Sequence, residues 1–420
     1  MKSKIFLFFL SVTTFFHGSA LFAGNVSLHG FVQGEFSVRT NGEAPQNSEG
    51  GDFLLGEERL RLDLSAHDKS GVAGMESKVD FFHDALTNTA NIDLREAYAE
   101  FTSKYIDFRM GRQIITWGVG DLLFINDVFP KDWAAFFSGQ PLEYLKIGSD
   151  AIKIVLYPKI FSLKLVVTPI FRQDNLPTSA RFFLFDPFPS VTARQTVLPT
   201  KSLKNVEVAV RIQRDIAGFD TSIYFSKGFW RTPGALLNSI TAPTEISYVF
   251  PKLLTYGLST QRAVLGGVFS LESGYYDSLD DRNGNDYSTP NSQARYFLGY
   301  KHPLWKEATL GFQYYGEYMF HHGAYQANLP AGFPVQDRLR QLVTASFTQM
   351  LAHQTLKLSL FSFFSPSDLD YQIIPEVQYH FTDELWAALG GNIFGGKKNN
   401  TFFGQMDKND NVYLILRYEF

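Results

Sequence analysis

Apolar and polar residues alternate one for one through most of this chain. Between Val26 and Arg39 one series reads Val26, Leu28, Gly30, Val32, Gly34, Phe36, Val38, and the other reads Ser27, His29, Phe31, Gln33, Glu35, Ser37, Arg39. Leu60–Ala66, Val206–Gln213, Tyr371–Phe381 and the closing Val412–Phe420 repeat the pattern. A period of two puts successive side chains on opposite faces of a β-strand, so each stretch carries one apolar and one polar face. Such strands number about 18 and run for about 9–14 residues, the length of a tilted strand that crosses a bilayer. A soluble sandwich alternates as well but uses far fewer strands.

The connections alternate too, in length. Short turns fall at 66–71, 102–105, 158–160, 214–218, 261–263, 302–307, 351–354 and 382–384. Longer polar or Gly- and Pro-rich stretches lie between them, at 40–52, 84–91, 118–142, 172–204, 229–245, 277–293, 322–337, 365–370 and 396–411. Short turns on one side, long loops on the other and an even strand number mark the barrels of outer membranes. The expected fold is therefore all-β, a transmembrane antiparallel up-and-down β-barrel of about 18 strands, or 16 if the weak hairpin near 246–276 is not one.

Composition narrows the class further. Phe contributes 41 of the 420 residues and Tyr 20, which suits aromatic girdles at two membrane interfaces. The absence of cysteine excludes a disulfide scaffold, a zinc finger, an iron–sulfur protein, covalently held haem and a lipidated cysteine. With 38 basic against 42 acidic residues there is no cationic excess for nucleic acid. A mean hydropathy of −0.10 excludes a bundle of membrane helices. Only the first residues differ: Lys2 and Lys4 precede an apolar run from Ile5 to Phe16, then small residues to Ala20 and Ala23. That order is a secretory signal peptide, too short in its apolar part to span. Cleavage is expected after Ala23, with Ala20 second, leaving 24–420 as a single barrel in the outer membrane of a Gram-negative bacterium.

If the apolar face meets lipid, the other lines the lumen. The lumen-lining candidates are Arg59, Arg61, Glu96, Glu100, Arg109, Glu207, Arg211, Glu272, Arg295, Glu317, Glu376 and Arg417. An Arg at the lipid-facing midplane would cost about 2–4 kcal/mol, which turns such residues inward. There they either bias what passes or brace the wall through ion pairs, and both readings stay open. The third long connection, Gly118–Leu142, is too apolar for an exposed loop, with Leu122, Phe124, Ile125, Phe129, Phe136 and Phe137 within it. In general porins the third external loop folds inward. The same behaviour here would make a pore constriction presenting Asp121, Asp127, Lys131, Asp132 and Trp133; the alternative is packing over the mouth or against a neighbouring protomer. The stretch 172–204, with Phe182, Phe183, Phe185 and Phe188, is a second candidate plug or gate.

Leu94-Arg-Glu-Ala-Tyr98, followed by Gly111-Arg-Gln-Ile-Ile-Thr-Trp-Gly118 and an Asp…Pro…Asp segment, resembles an uncharacterised family of proteobacterial outer-membrane, porin-like barrels. In that family an LREAY strand precedes a GRQ…WG strand. The matching stretch covers residues 54–133, and the resemblance implies a location and a fold without a substrate. A more distant architectural resemblance, to the alginate-export barrel, implies the same strand number and carries over no residue. The closing Leu-Arg-Tyr-Glu-Phe, with Tyr418 and Phe420, resembles the C-terminal signature read by the barrel-assembly machinery.

Enzyme chemistry is not expected. No G-x-S-x-G occurs, and only His29 and His380 fall mid-strand on a lumenal face. Asp281–Asp286 and Asp407–Asn411 resemble half a calcium loop, but lack Gly at position six and Glu at twelve, so turn chemistry is favoured and no metal or cofactor is assigned. The partners expected are outer-membrane lipids and lipopolysaccharide, the assembly machinery and small solutes, with no nucleic acid; homotrimer and monomer are both left open. The function expected is a porin-like channel for passive passage of small solutes, narrowed by the third external loop. The alternative is a dedicated transporter or export conduit for a hydrophobic or polymeric substrate.

Overall fold

Every backbone N–H and C=O in hydrocarbon needs a partner, and a sheet supplies them all only when it closes on itself. The computed structural model, which describes residues 24–46 and 48–420, is such a sheet; the signal peptide expected at 1–23 lies outside the described residues. Its strands are β1 (Val26–Arg39), β2 (Phe53–His67), β3 (Ala73–Asp84), β4 (Thr89–Thr102), β5 (Ile106–Gln113), β6 (Ser149–Leu156) and β7 (Ser162–Thr168). Next come β8 (Ala193–Val197), β9 (Glu207–Ile216), β10 (Phe219–Phe229), β11 (Gly234–Leu237), β12 (Glu245–Val249), β13 (Lys252–Val264) and β14 (Gly267–Ser278). The last are β15 (Gln293–Pro303), β16 (Ala308–Met319), β17 (Leu339–Leu351), β18 (Leu356–Ser365), β19 (Asp370–His380), β20 (Leu385–Gly396) and β21 (Asn411–Glu419).

Eighteen of these form one antiparallel ring in chain order, shut by pairing of β1 with β21. The exceptions are β8, β11 and β12, which form a separate three-stranded sheet; β8 and β11 lie in stretches read from sequence as loops, and β12 at the start of the stretch 246–276 read as a hairpin. The eight short turns and nine long connections are present, though the connection read at 229–245 runs on to Pro251 and one turn is displaced. The β13–β14 turn falls not at 261–263 but at Leu265–Gly266, whose φ angles of 49° and 77° are those of a two-residue hairpin turn. The polar Gln261 and Arg262 remain in strand.

The two faces are inverted relative to a water-soluble sheet. On β1, Gln33, Glu35 and Ser37 are at most 1% exposed, while the alternating Val32 and Phe36 are 52% and 43% exposed. Exposed aliphatic and aromatic side chains recur on β21 at Val412, Leu414, Leu416 and Tyr418. The polar face is inside, where Gln33 stands in register with Arg59 on one side and Arg417 on the other. The alternation breaks once in a way that matters. The register of β3 with β4 shifts between Lys78 and Val79, whose partners are Glu96 and Leu94, so Arg95 is the extra residue of a bulge. Arg95 and Glu96, adjacent in sequence, are both buried.

Candidate functional site

The connection from β5 to β6 runs inside the ring. Helix α1 (Trp133–Ser138) begins at Asp132, whose carboxylate accepts from Ala135 N at 2.8 Å, and ends at Gly139. A single 3-10 turn over Leu142–Leu145 follows Pro141. The apolar residues that made this segment unsuitable for solvent are buried against the wall. Ile125, Phe136 and Phe137 join one core cluster with Phe297 of β15, Phe363 of β18 and Phe394 of β20. The rings of Phe137 and Phe394 meet edge to face at 5.7 Å.

Polar bonds fasten the segment to opposite sides of the ring. On one side Glu272, mid-strand in β14 and fully buried, accepts from Val119 N at 2.8 Å and Asn126 N at 2.6 Å. Asp121 exchanges two 2.9 Å bonds with Gln313 of β16, its N–H donating to Oε1 and its carbonyl accepting from Nε2. Tyr276 donates its hydroxyl to Ile125 O. The wall is notched to admit this stretch: a Cβ on Gly257 would lie 1.6 Å from Asn126 Oδ1, and one on its register partner Gly274 would lie 2.8 Å from Ile125 Cγ2.

On the other side the carboxylate of Glu143 accepts from Arg417 of β21 at 2.6 Å and from Arg61 of β2. Arg95, turned inward by its bulge, donates to Glu143 O at 2.7 Å and Lys146 O at 2.9 Å. Asn411 and Asn392 both donate to Phe137 O. Burial alone would raise the Glu143 carboxyl, but Arg417 and Arg61 outweigh it and hold the group below the ordinary carboxylate range. Lys146 goes the other way. Burial, with Lys131 beside it, lowers its ammonium to about 8 despite the Asp127 carboxylate.

The five residues expected at the constriction lie as follows. Asp127 is buried between Lys131, at 3.1 Å, and Lys146. Asp132 caps α1 and accepts from Asn175 Nδ2 at 2.9 Å, and burial raises its carboxyl. Trp133 donates Nε1 to Asp174 at 3.1 Å and stacks on Phe137. Asp121 alone is exposed, 3.3 Å from Lys301 of β15. Asp127, Lys131 and Asp132 are thus tied into the segment's own structure.

The twelve lumen-lining candidates divide into groups. Arg59 and Arg61 share Asp80, at 2.5 and 2.6 Å, and with Arg417 they surround the rings of Tyr144 and Phe31. Glu96 pairs with Lys78 at 3.0 Å and accepts from Ile114 N at 2.8 Å, holding the start of the inward segment. Glu100 bonds Arg109 at 2.9 Å, Glu207 bonds Arg231 at 3.0 Å, and Arg295 bonds Glu317 at 3.1 Å. Arg211 donates to Ser222 Oγ at 3.1 Å, and Glu376 accepts from Tyr413 at 3.0 Å. Tyr418 and Phe420 are exposed on the outer face, and Phe420 exchanges two 3.0 Å backbone bonds with Gly30. Sequence reasoning missed Glu143, Arg95, Gln313 and Lys146. Arg95 sits where strict alternation points outward, and the other three become special only through what the fold brings to them.

Among the described residues, a space opens toward each end of the ring. The first, about 600 Å³, lies toward the long loops and touches Lys131, Trp133, Tyr315, Arg340, Phe402 and Gln405. The second, about 540 Å³, lies toward the short turns, between Arg61, Asp63, Glu143, Arg417 and Glu384. Lys131 faces one and Glu143 the other, so the inward segment stands between them.

No family model and no curated protein sequence matches this chain. Solved structures do. It is similar to Pseudomonas aeruginosa OccD3 (OpdP), with a TM-score of 0.58 and 9% identity over 95% of this chain and 92% of that one. It is similar to P. aeruginosa OccK2 (OpdF) in complex with glucuronate, with a TM-score of 0.56 and 9% identity over 94% of this chain and 98% of that one. A third, the P. aeruginosa outer membrane protein OpdK, gives a TM-score of 0.56 and 8% identity over 94% and 99%. At such identities what is shared is the fold, and it is shared along nearly the whole of each chain.

Proposed function

We propose that this protein is an outer-membrane channel through which small solutes pass passively, its lumen narrowed by the segment between β5 and β6. The observation that carries the reading is that segment, fastened by Glu272 to one side of an inverted-face ring and by Glu143 to the other. A barrel held together only for its own stability has no need of a strap between two open spaces; a conduit that sorts by size does. The likeness in fold to OpdK, an outer membrane protein, supports the location. The exposed aliphatic and aromatic side chains would then meet lipid and lipopolysaccharide, and Tyr418 and Phe420 would serve as the assembly signature. The LREAY and GRQ…WG segments fall on the paired strands β4 and β5, in keeping with the resemblance to porin-like barrels carrying that motif pair.

The test is single-channel conductance of the refolded chain in a planar bilayer beside a variant lacking Asp121–Phe137. Steady current that rises in the deletion supports the reading. Silence from both, with folding verified by heat-modifiable mobility, overturns it. The apolar lining of the larger space favours a second reading, a dedicated conduit for a hydrophobic substrate, and a silent parent with a conducting deletion would select it.

A further inference from the structure

The larger space has a chemistry of its own. Thirteen of its 31 lining residues are aromatic, against four cations and three carboxylates, so what enters it meets rings first. Its size, about 600 Å³, is that of a site for a small molecule. Each of the four cations already has a carboxylate partner. Lys131 is held by Asp127 at 3.1 Å, Arg231 by Glu207 at 3.0 Å, Arg295 by Glu317 at 3.1 Å and Arg340 by Asp368 at 3.0 Å. All four cations also lie over rings: Lys131 over Phe124, Arg231 over Phe171, Arg295 over Tyr276 and Arg340 over Phe402. Asp174 is occupied by Lys131 N and Trp133 Nε1. The hydroxyls of Tyr276 and Tyr315 are donated to Ile125 O and Glu317. An anion arriving here would have to compete with carboxylates already in place, and a buried charge robbed of its partner is costly.

We infer that this space selects neutral solutes with an aromatic body, the ring sliding among Trp133, Tyr315 and Phe402 while a hydroxylated portion stays toward Thr232 and Gln405. The inference rests on the channel reading for its route, but its chemistry is that of a binding site and can be tested apart from transport. Phe402 is exposed, so a newcomer can reach it first. Its ring already stands edge to face with those of Trp133 and Phe137, at 6.4 and 6.0 Å, the geometry a third aromatic ring would extend.

The experiment compares three probes of one scaffold in proteoliposome swelling: methyl β-D-glucoside, phenyl β-D-glucoside and phenyl β-D-glucuronide. Phenyl glucoside should enter faster than the smaller methyl glucoside, and change tryptophan fluorescence of the folded protein at concentrations about fivefold lower, the gain expected of one added aromatic contact. Phenyl glucuronide should do no better than phenyl glucoside. Phe402→Ala, with folding checked by heat-modifiable mobility, should erase the phenyl advantage, so that in this variant methyl glucoside enters ahead of phenyl glucoside. The inference is overturned if methyl glucoside wins, as size alone would dictate, or if the glucuronide wins, in which case the cavity selects charge. Should no probe swell the liposomes, the channel reading fails by itself. A saturable fluorescence response to phenyl glucoside would then still uphold the site, and its absence would sink it.

Discussion

Glu272→Ala is the sharpest perturbation of the strap. The carboxylate is fully buried and accepts two backbone N–H bonds, from Val119 at 2.8 Å and Asn126 at 2.6 Å. A hydrogen bond to a charged group contributes about 1.5–3 kcal/mol, so the pair holds the 119–126 stretch with about 3–6 kcal/mol. Water entering the vacated space will solvate the freed N–H groups, which favours the lower end. A loss of about 3 kcal/mol reduces the docked-to-undocked ratio of this stretch about 150-fold. The Glu143 side keeps its own anchors, so the segment should swing from one end rather than leave the lumen. In a planar bilayer this predicts raised mean conductance with flicker between two levels, while heat-modifiable mobility stays that of a folded barrel. Glu272→Gln, which keeps one acceptor oxygen and turns an amide toward the other N–H, should fall between. An Ala variant with parental conductance and no flicker would refute the idea that Glu272 holds the strap against the wall.

Gly257→Ala should reproduce that flicker without removing any hydrogen-bonding group, because its Cβ fills the notch occupied by Asn126; current traces indistinguishable from the parent would count against the notch. Leu360→Arg, on an exposed position in the middle of β18, should lower folding stability in lipid vesicles by about 2–4 kcal/mol, read from the urea midpoint, and an unchanged midpoint would contradict a lipid-facing surface. Lys146 and Glu143 give pH signatures of the same sign in two separate ranges. Because the folded Lys146 sheds its proton at about 8 while the unfolded residue keeps it to about 10.4, docking of the strap should strengthen as pH rises through that window, and Lys146→Met should abolish the change. Glu143 lies below the ordinary carboxylate range, so its contribution is complete above about pH 4.3 and should fade on acidification through its lower folded value. Channel noise recorded across both ranges reads the two together.

The barrel was legible because its strands obey a strict local rule. The period-two faces of Val26–Arg39 and Val412–Phe420, read without any partner, are the faces that the closing pair β1–β21 exposes and buries. The turn after β13 slipped because polarity drew it to Gln261, whereas the backbone turned where Gly266 permits a left-handed conformation. The sheet of β8, β11 and β12 escaped because its strands have only 4 or 5 residues and one pairing, β8 with β12, is parallel and distant in sequence. The inward course of the third connection could be inferred from its apolar surplus, but not the residues that fasten it. Arg95 owes its direction to a bulge that alternation cannot encode, and Glu143 is one acid among many until Arg61 and Arg417 converge on it.

Glu143 has a consequence for how the chain becomes a closed ring. Its two cations come from β2 and β21, and between those strands lies β1, one side of the joint where the first strand meets the last. While the joint is open, Arg61, one strand in from the β1 edge, and Arg417, on the β21 edge, are apart and a single carboxylate cannot clasp both. Once it shuts, they are brought together in a buried place, where two like charges would push the edges apart if no anion stood between them. The β5–β6 connection therefore supplies the counterion that lets the two ends of the chain stay joined. Removing Glu143 should be felt first at the termini, as premature hydrogen exchange along β1 and β21, rather than in the helix a few residues away.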